Sequence, residues 1–165
     1  QSLVQKVGEN VIIRKKESIG GDNLYSYIHS NGKVGALVSL KDDNEELGKD
    51  IAMHVTASNP KFLSPEDVDS ETIEKEKQIL KAQVEDTNKP EEIIEKMIEG
   101  RLNKFLSEIS LLKQPFVKDP STSIENILND HKNSIVEFTR IEVGEGIEVE
   151  QKDFASEVQA QLQNS

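Results

Sequence analysis

Two alternating apolar runs flank an Asn-Gly pair near the start of the chain. The runs are Leu24 to Ile28 and Val34 to Leu40, and Asn31-Gly32 lies between them. Asn-Gly favours a type I′ turn, because both central residues of that turn need a positive φ. The pair predicts an antiparallel hairpin, one face of which carries Tyr25, Tyr27, His29, Val34, Ala36 and Val38.

The face that carries Tyr25, Tyr27 and His29 has two interpretations. Aromatic and apolar side chains beside a turn suit a partner-binding surface. The same face could instead be the buried side of the sheet, packed against the next predicted helix. That helix has an apolar edge at i, i+4 and i+8, formed by Leu47, Ile51 and Val55.

The middle of the chain predicts a pair of helices. Residues Ser70 to Val84 are dense in Glu, Lys and Gln and carry a thin apolar stripe, and a second helix with a broader stripe starts at Glu91. The polar stretch Asp86 to Pro90 separates them. Two helices joined by a short polar turn predict an antiparallel, coiled-coil-like hairpin that projects from the main domain.

Four shorter patterns complete the predicted elements. A strand is expected at residues 11–13, and Thr122 with Glu125 forms a capping-box pattern at the start of a helix. Residues Ser134 to Val143 have strand composition but imperfect alternation, which predicts a bulge or a strand buried on both faces. A last helix begins at Asp153, and its apolar edge, a second candidate for partner binding, consists of Phe154, Val158 and Leu162.

These elements predict an α+β fold, with an antiparallel sheet packed with helices, a projecting helical hairpin and a C-terminal helix. Residues 1–69 and 113–147 are expected to form the two parts of one core subdomain. Residues 70–112 would be the hairpin insertion, and residues 148–165 a C-terminal helical module.

Charge and composition restrict the classes of partner that the chain is expected to bind. The chain has 31 acidic and 20 basic residues, a formal net charge of −11, which argues against direct binding to nucleic acid or to anionic membranes. No apolar run approaches the roughly 20 residues that a membrane helix needs. The absence of cysteine suits a cytoplasmic protein. A start at Gln1 rather than Met suggests a fragment or a processed product.

The sequence carries no recognisable catalytic site. Its three histidines share no metal-ligand spacing, and His54 lies beside the apolar edge of a predicted helix, which favours a structural role. HExxH, P-loop and GxSxG patterns are absent. We therefore expect no catalytic residue, no metal and no cofactor, and an interaction module rather than an enzyme.

Several motifs, in family order, resemble the elongation factor Ts family. They include Val7-Gly8-Glu9-Asn10, Ile51-Ala52-Met53-His54-Val55, Met97-Ile98-Glu99-Gly100-Arg101, Gln114-Pro115-Phe116-Val117, and Glu142-Val143-Gly144-Glu145-Gly146. The resemblance corresponds to the second core subdomain, the hairpin and the C-terminal module of that family. The family's Thr-Asp-Phe-Val motif, which pushes into the partner near its magnesium site, does not occur in the 165 residues.

The resemblance implies a translation factor that acts by binding. Its expected partner is elongation factor Tu, whose GDP it would help to exchange for GTP. The second core subdomain would contact the third domain of Tu, and the C-terminal module would contact its GTP-binding domain. An alternative from the residues alone is a self-associating module, a homodimer formed through the sheet face or the hairpin.

Overall fold

The alternating runs form the first two strands of a sheet in the computed structural model, which describes residues 5, 6, 8, 13–84 and 90–146. The helices and strands in these ranges are β1 (Asn23–Ile28), β2 (Val34–Leu40), α1 (Glu45–Ser58), α2 (Ser70–Val84), α3 (Glu91–Ile109), α4 (Ile124–Asp130) and β3 (Ile135–Glu142). The strands pair antiparallel in the order β1-β2-β3. The α+β prediction with an antiparallel sheet is therefore confirmed.

The β1–β2 hairpin has the predicted register, but the predicted type I′ turn is wrong. Gly32 has φ 66°, whereas Asn31 does not have a positive φ. The Gly32 N–H donates to the His29 carbonyl at 2.8 Å, and the Asn31 side-chain oxygen accepts from the Lys33 N–H at 2.9 Å. This side-chain hydrogen bond stabilises a wider loop. The register survives because the His29 N–H still donates to the Val34 carbonyl, at 2.9 Å.

A bulge lies at the start of β3, one of the two outcomes that the broken alternation predicted. Ser39 pairs with Glu137, but Leu40 pairs with Ile135, so Val136 is the extra residue. The bulge keeps Ile135 in the core and leaves Val136 57% exposed. The shift therefore allows apolar residues on both sides of it to pack in the core despite the broken alternation.

Helix α1 packs on one face of the sheet. The Asn44 side chain caps it by accepting from the Leu47 N–H at 3.1 Å, and Asn59 ends it in the left-handed conformation. The predicted apolar edge of α1 is buried. The core that it shares with the sheet consists of Tyr25, Ala36, Val38, Leu40, Leu47, Ile51, Ala52, Val55, Leu111, Phe116, Ile124, Leu128 and Ile135.

Helix α2 has the predicted bounds, α3 begins at the predicted residue, and the two helices contact each other. Leu80 and Val84 of α2 are buried, and the Arg101 guanidinium of α3 donates to the Gln83 side-chain oxygen at 3.2 Å. Apolar residues of α3 are at most half-buried. Residues 85–89, most of the predicted tip, lie outside the described residues, and the projection of the hairpin stays a prediction.

One local prediction is wrong, and a second fails at the one residue where the structure describes it. The cap of α4 is Ser123, which accepts from the Asn126 N–H at 3.2 Å, and not Thr122. The backbone of Thr122 is already bonded within the preceding connector, to Phe116. The strand expected at residues 11–13 is absent at Ile13, which is 83% exposed, while residues 11 and 12 lie outside the described residues.

Candidate functional site

The first of the predicted partner-binding residues, Tyr25, lies in the core. Its hydroxyl donates to the Asp43 carboxylate at 2.5 Å and accepts from the Asn44 N–H at 2.9 Å, so it holds the start of α1 against β1. The hydrogen bond to Asp43 raises the pKa of the Tyr25 hydroxyl, and burial adds to the effect. A Cβ on Gly48 would lie 2.1 Å from the Tyr25 ring, so the glycine makes room for it.

Tyr27 and His29 lie further along the same face, beside the last turns of α1. Tyr27 is half-buried and His29 is exposed, and their ring centroids are 6.4 Å apart. Both line a groove with a volume of about 440 Å³. The other lining residues are Val34 of β2, Met53, Thr56 and Ala57 of α1, and Val117 and Lys118 of the connector between α3 and α4.

The connector wall of the groove is held by a buried histidine. His54 is fully buried, its Nδ1 accepts from the Val117 N–H at 3.2 Å, and its Nε2 lies 2.9 Å from the Gln114 side-chain oxygen. Because Nδ1 is an acceptor here, we assign the ring proton to Nε2, which donates to Gln114. Burial lowers the pKa of His54, although the hydrogen bond to Gln114 opposes the shift. His54 thus fixes the position of Val117, whose side chain is 45% exposed.

A salt bridge closes one rim of the groove. The Lys118 ammonium lies 2.8 and 3.0 Å from the two carboxylate oxygens of Asp50 on α1. This hydrogen bond raises the pKa of Lys118. The pair is a second contact between the connector and α1, one turn of helix from His54. The two contacts together fix the separation between the connector wall and the α1 wall of the groove.

The chemistry of the groove suits contact with another protein. Its lining is mostly apolar. Within the described ranges, no group of three or more His, Cys, Asp or Glu residues is arranged to hold a metal. No helix in the part of the chain that the structure describes is long and apolar enough to cross a membrane.

The structure brings together residues that the sequence kept apart. Tyr27 and His29 share the groove with Met53 and Val117, which sequence reasoning did not single out as site residues. The available signal was that both residues lie in motifs that carry the family resemblance. The second set of predicted contacts, Phe154, Val158 and Leu162, lies outside the described residues.

The opposite face of the sheet is also partly apolar. Leu24 and Ile28 of β1 are 50% and 71% exposed, and Leu37 of β2 is 36% exposed. In the part of the chain that the structure describes, no helix covers these three side chains, because α1 packs on the other face.

Comparisons with known proteins identify the relatives. A family model described as Elongation factor TS matches residues 1–145. Elongation factor Ts of Hahella chejuensis (strain KCTC 2396) is 50% identical over 162 residues, which cover 98% of this chain and 57% of the relative. Elongation factor Ts of Marinobacter nauticus (strain ATCC 700491 / DSM 11845 / VT8) is 49% identical over 160 residues, 97% of this chain and 55% of the relative.

The chain thus spans a little over half the length of these curated relatives. The family match covers most of the chain, including every helix and strand described above and all residues that line the groove. The chain therefore belongs to the elongation factor Ts family of translation factors.

Proposed function

We propose that this chain binds elongation factor Tu and supports the exchange of its GDP for GTP. The observation that carries the proposal is the open apolar groove beside Tyr27, His29 and Val117. The family resemblance implies that this part of the factor contacts the third domain of Tu. A groove of about 440 Å³ has room for a few apolar side chains of such a partner.

The proposed mechanism is coupled binding. The factor and GDP favour different conformations of Tu, so each weakens the binding of the other by the same factor. No bond is made or broken by the factor itself, and the chain acts as an exchange factor rather than an enzyme. Its setting in this proposal is the cytoplasm, where translation factors work.

The proposal assigns different tasks to the segments of the chain. The core subdomain, residues 1–69 and 113–147, carries the groove and supplies affinity. The helical hairpin, residues 70–112, is an insertion that projects from it. Residues 148–165 form a helical arm whose edge of Phe154, Val158 and Leu162 docks on the GTP-binding domain of Tu.

A matched pair of substitutions tests the groove. Val117→Asp places a carboxylate in the groove wall, and Val136→Asp makes the same change on β3, outside the groove, at a valine of similar exposure, 57% against 45%. A charge buried at an interface without a partner costs binding free energy. We expect Val117→Asp to weaken Tu binding by about tenfold or more, the range of interface hot spots.

Calorimetric titration of Tu with each variant gives the affinities, and thermal unfolding checks that both variants fold. The proposal requires Val136→Asp to bind as the unchanged chain does. Equal affinities for all three proteins would rule out the groove as the Tu contact.

Self-association is the second candidate function, and the apolar residues Leu24, Ile28 and Leu37 on the open sheet face favour it. Exposed apolar patches of this kind mark interaction sites. Sedimentation at several concentrations would detect a homodimer. Ile28→Lys should abolish it, whereas Ile79→Lys, at an isoleucine of α2 that is 51% exposed, should not.

A further inference from the structure

Arg140 of β3 reaches across to the end of α1 without lining the groove. Its side chain is 11% exposed, and its Nε donates to the Thr56 carbonyl at 3.2 Å. Its Nη2 donates to the Glu142 carboxylate at 2.7 Å. Thr56 itself lines the groove, so Arg140 contacts a groove wall from behind.

The sequence explains why the Thr56 carbonyl is free to accept. In an α-helix the carbonyl of residue 56 would accept from the N–H of residue 60, but residue 60 is Pro60, which has no N–H. The last turn of α1 also contains no basic residue that could bond its free carbonyls. Arg140 supplies both the missing donor and a positive charge at the negative end of the helix.

One donor of the Arg140 guanidinium has no partner in the part of the chain that the structure describes. Its Nη1 is buried and has no hydrogen-bond partner among the described residues. A buried donor without a partner costs folding free energy, and burial of a guanidinium adds to the cost. The hydrogen bond to the Thr56 carbonyl is the contact through which Arg140 reaches a residue of the groove.

We infer that Arg140 is a positioning residue that sets the shape of the groove by fixing the last turn of α1. Thr56 and Ala57, which belong to that turn, line the groove together with Tyr27 and His29. The inference rests on the proposed function, because the shape of the groove matters through the fit of elongation factor Tu. It adds to that function a residue outside the contact surface that determines affinity.

Two substitutions of Arg140 test the inference in the 165-residue chain. Arg140→Met keeps the length of the side chain but removes every donor, so the last turn of α1 loses its anchor. Arg140→Lys keeps the charge but replaces the planar fork of donors with a compact ammonium, which fits the two acceptors Thr56 and Glu142 less well. We expect Arg140→Met to weaken Tu binding by about three- to tenfold, as substitutions outside a contact surface do, and Arg140→Lys to lose less.

Two controls separate this effect from general damage. Ile124→Val lowers stability at a fully buried residue of α4 that does not line the groove, and Lys75→Met removes one positive charge from α2. Both should bind Tu as the unchanged chain does. NMR should show shifted methyl resonances of Thr56 and Ala57 in Arg140→Met, with the methyl resonances of Leu128 unchanged.

Tyr27→Ala makes the outcomes distinguishable. If Tyr27→Ala weakens binding and the folded Arg140→Met does not, the inference is overturned and the proposed function stands. If neither weakens binding, the inference is overturned and so is the part of the proposed function that places the Tu contact in the groove. If Arg140→Met does not fold, Arg140→Lys decides: a reduced affinity supports the inference, and the affinity of the unchanged chain overturns it.

Discussion

Tyr25 and Tyr27 lie two residues apart on β1 and point to the same side of the sheet, yet their surroundings differ. Tyr25 is under α1, with its hydroxyl bonded to Asp43 and Asn44. Tyr27 is half-buried, packs against the core and lines the groove. The two tyrosines therefore offer a direct comparison between a residue of the core and a residue of the candidate interface.

We expect Tyr27→Ala to weaken binding of elongation factor Tu by about tenfold or more, because a truncated aromatic side chain leaves part of the groove unfilled. The melting temperature should also fall, because Tyr27 packs against the core. Tyr25→Phe should lower the melting temperature without changing affinity, because it removes only the hydroxyl that ties β1 to α1. Calorimetry and thermal unfolding measure both. An unchanged affinity of Tyr27→Ala, with a lowered melting temperature, would make Tyr27 a core residue.

His54 makes stability depend on pH. Burial lowers its pKa in the folded chain, whereas the unfolded chain has the ordinary histidine value of about 6.5. Below that value the unfolded chain binds the proton more readily, so this contribution to stability is complete above pH 6.5 and is lost as pH falls through the folded pKa. The loss is at most about 1.4 kcal/mol per pH unit for one proton.

The measurement is the free energy of unfolding, from urea titrations between pH 5 and about pH 8. His54→Gln should reduce the decrease toward acid pH, and His131→Gln, at an exposed histidine, should retain it. Identical pH profiles for the two variants would show that His54 is not responsible.

At the scale of elements, the helical hairpin is the segment whose independence is most easily tested. We expect that replacing residues 86–90 with a short Gly-Ser turn changes the melting temperature little, because the segment is polar and separates two helices that already contact each other. Far-ultraviolet circular dichroism would follow the unfolding. Loss of the whole fold on this replacement would show that the tip packs against the core.

The C-terminal segment provides a second test at this scale. A helix of about three turns is marginal alone in water, so an edge of Phe154, Val158 and Leu162 needs a surface to pack on. Deletion of residues 148–165 should weaken Tu binding by about tenfold or more, from the apolar area lost, while the melting temperature stays nearly constant. Unfolding of the truncated chain, or unchanged binding, would exclude a docking arm.

The elements that the sequence predicted well are those with a strong period. The register of β1 and β2, the bounds of α2 and the start of α3 follow from alternation and from helical spacing. Failures came from single side chains that bond the backbone locally: Asn31 at the hairpin turn and Ser123 at the start of α4. The sequence predicted only part of the groove, because Met53 and Val117 come together with Tyr27 through packing between segments that are far apart in sequence.

At the scale of the whole molecule, affinity for Tu and release of its nucleotide are expected to depend on different segments. The chain spans a little over half the length of its curated relatives and lacks the Thr-Asp-Phe-Val motif. The groove and the C-terminal arm would supply binding, and the missing motif would supply most of the displacement of GDP. We therefore expect this chain to bind Tu but to release GDP slowly. The coupling between the two ligands of Tu is nevertheless reciprocal.

The most direct measurement titrates Tu that carries fluorescently labelled GDP with the chain, and records complex formation and GDP release in the same sample. The account predicts a one-to-one complex and only slow release at saturation. Release as fast as with a full-length elongation factor Ts would contradict the role given to the missing motif. The absence of any complex would contradict the central claim that this chain is a Tu-binding module.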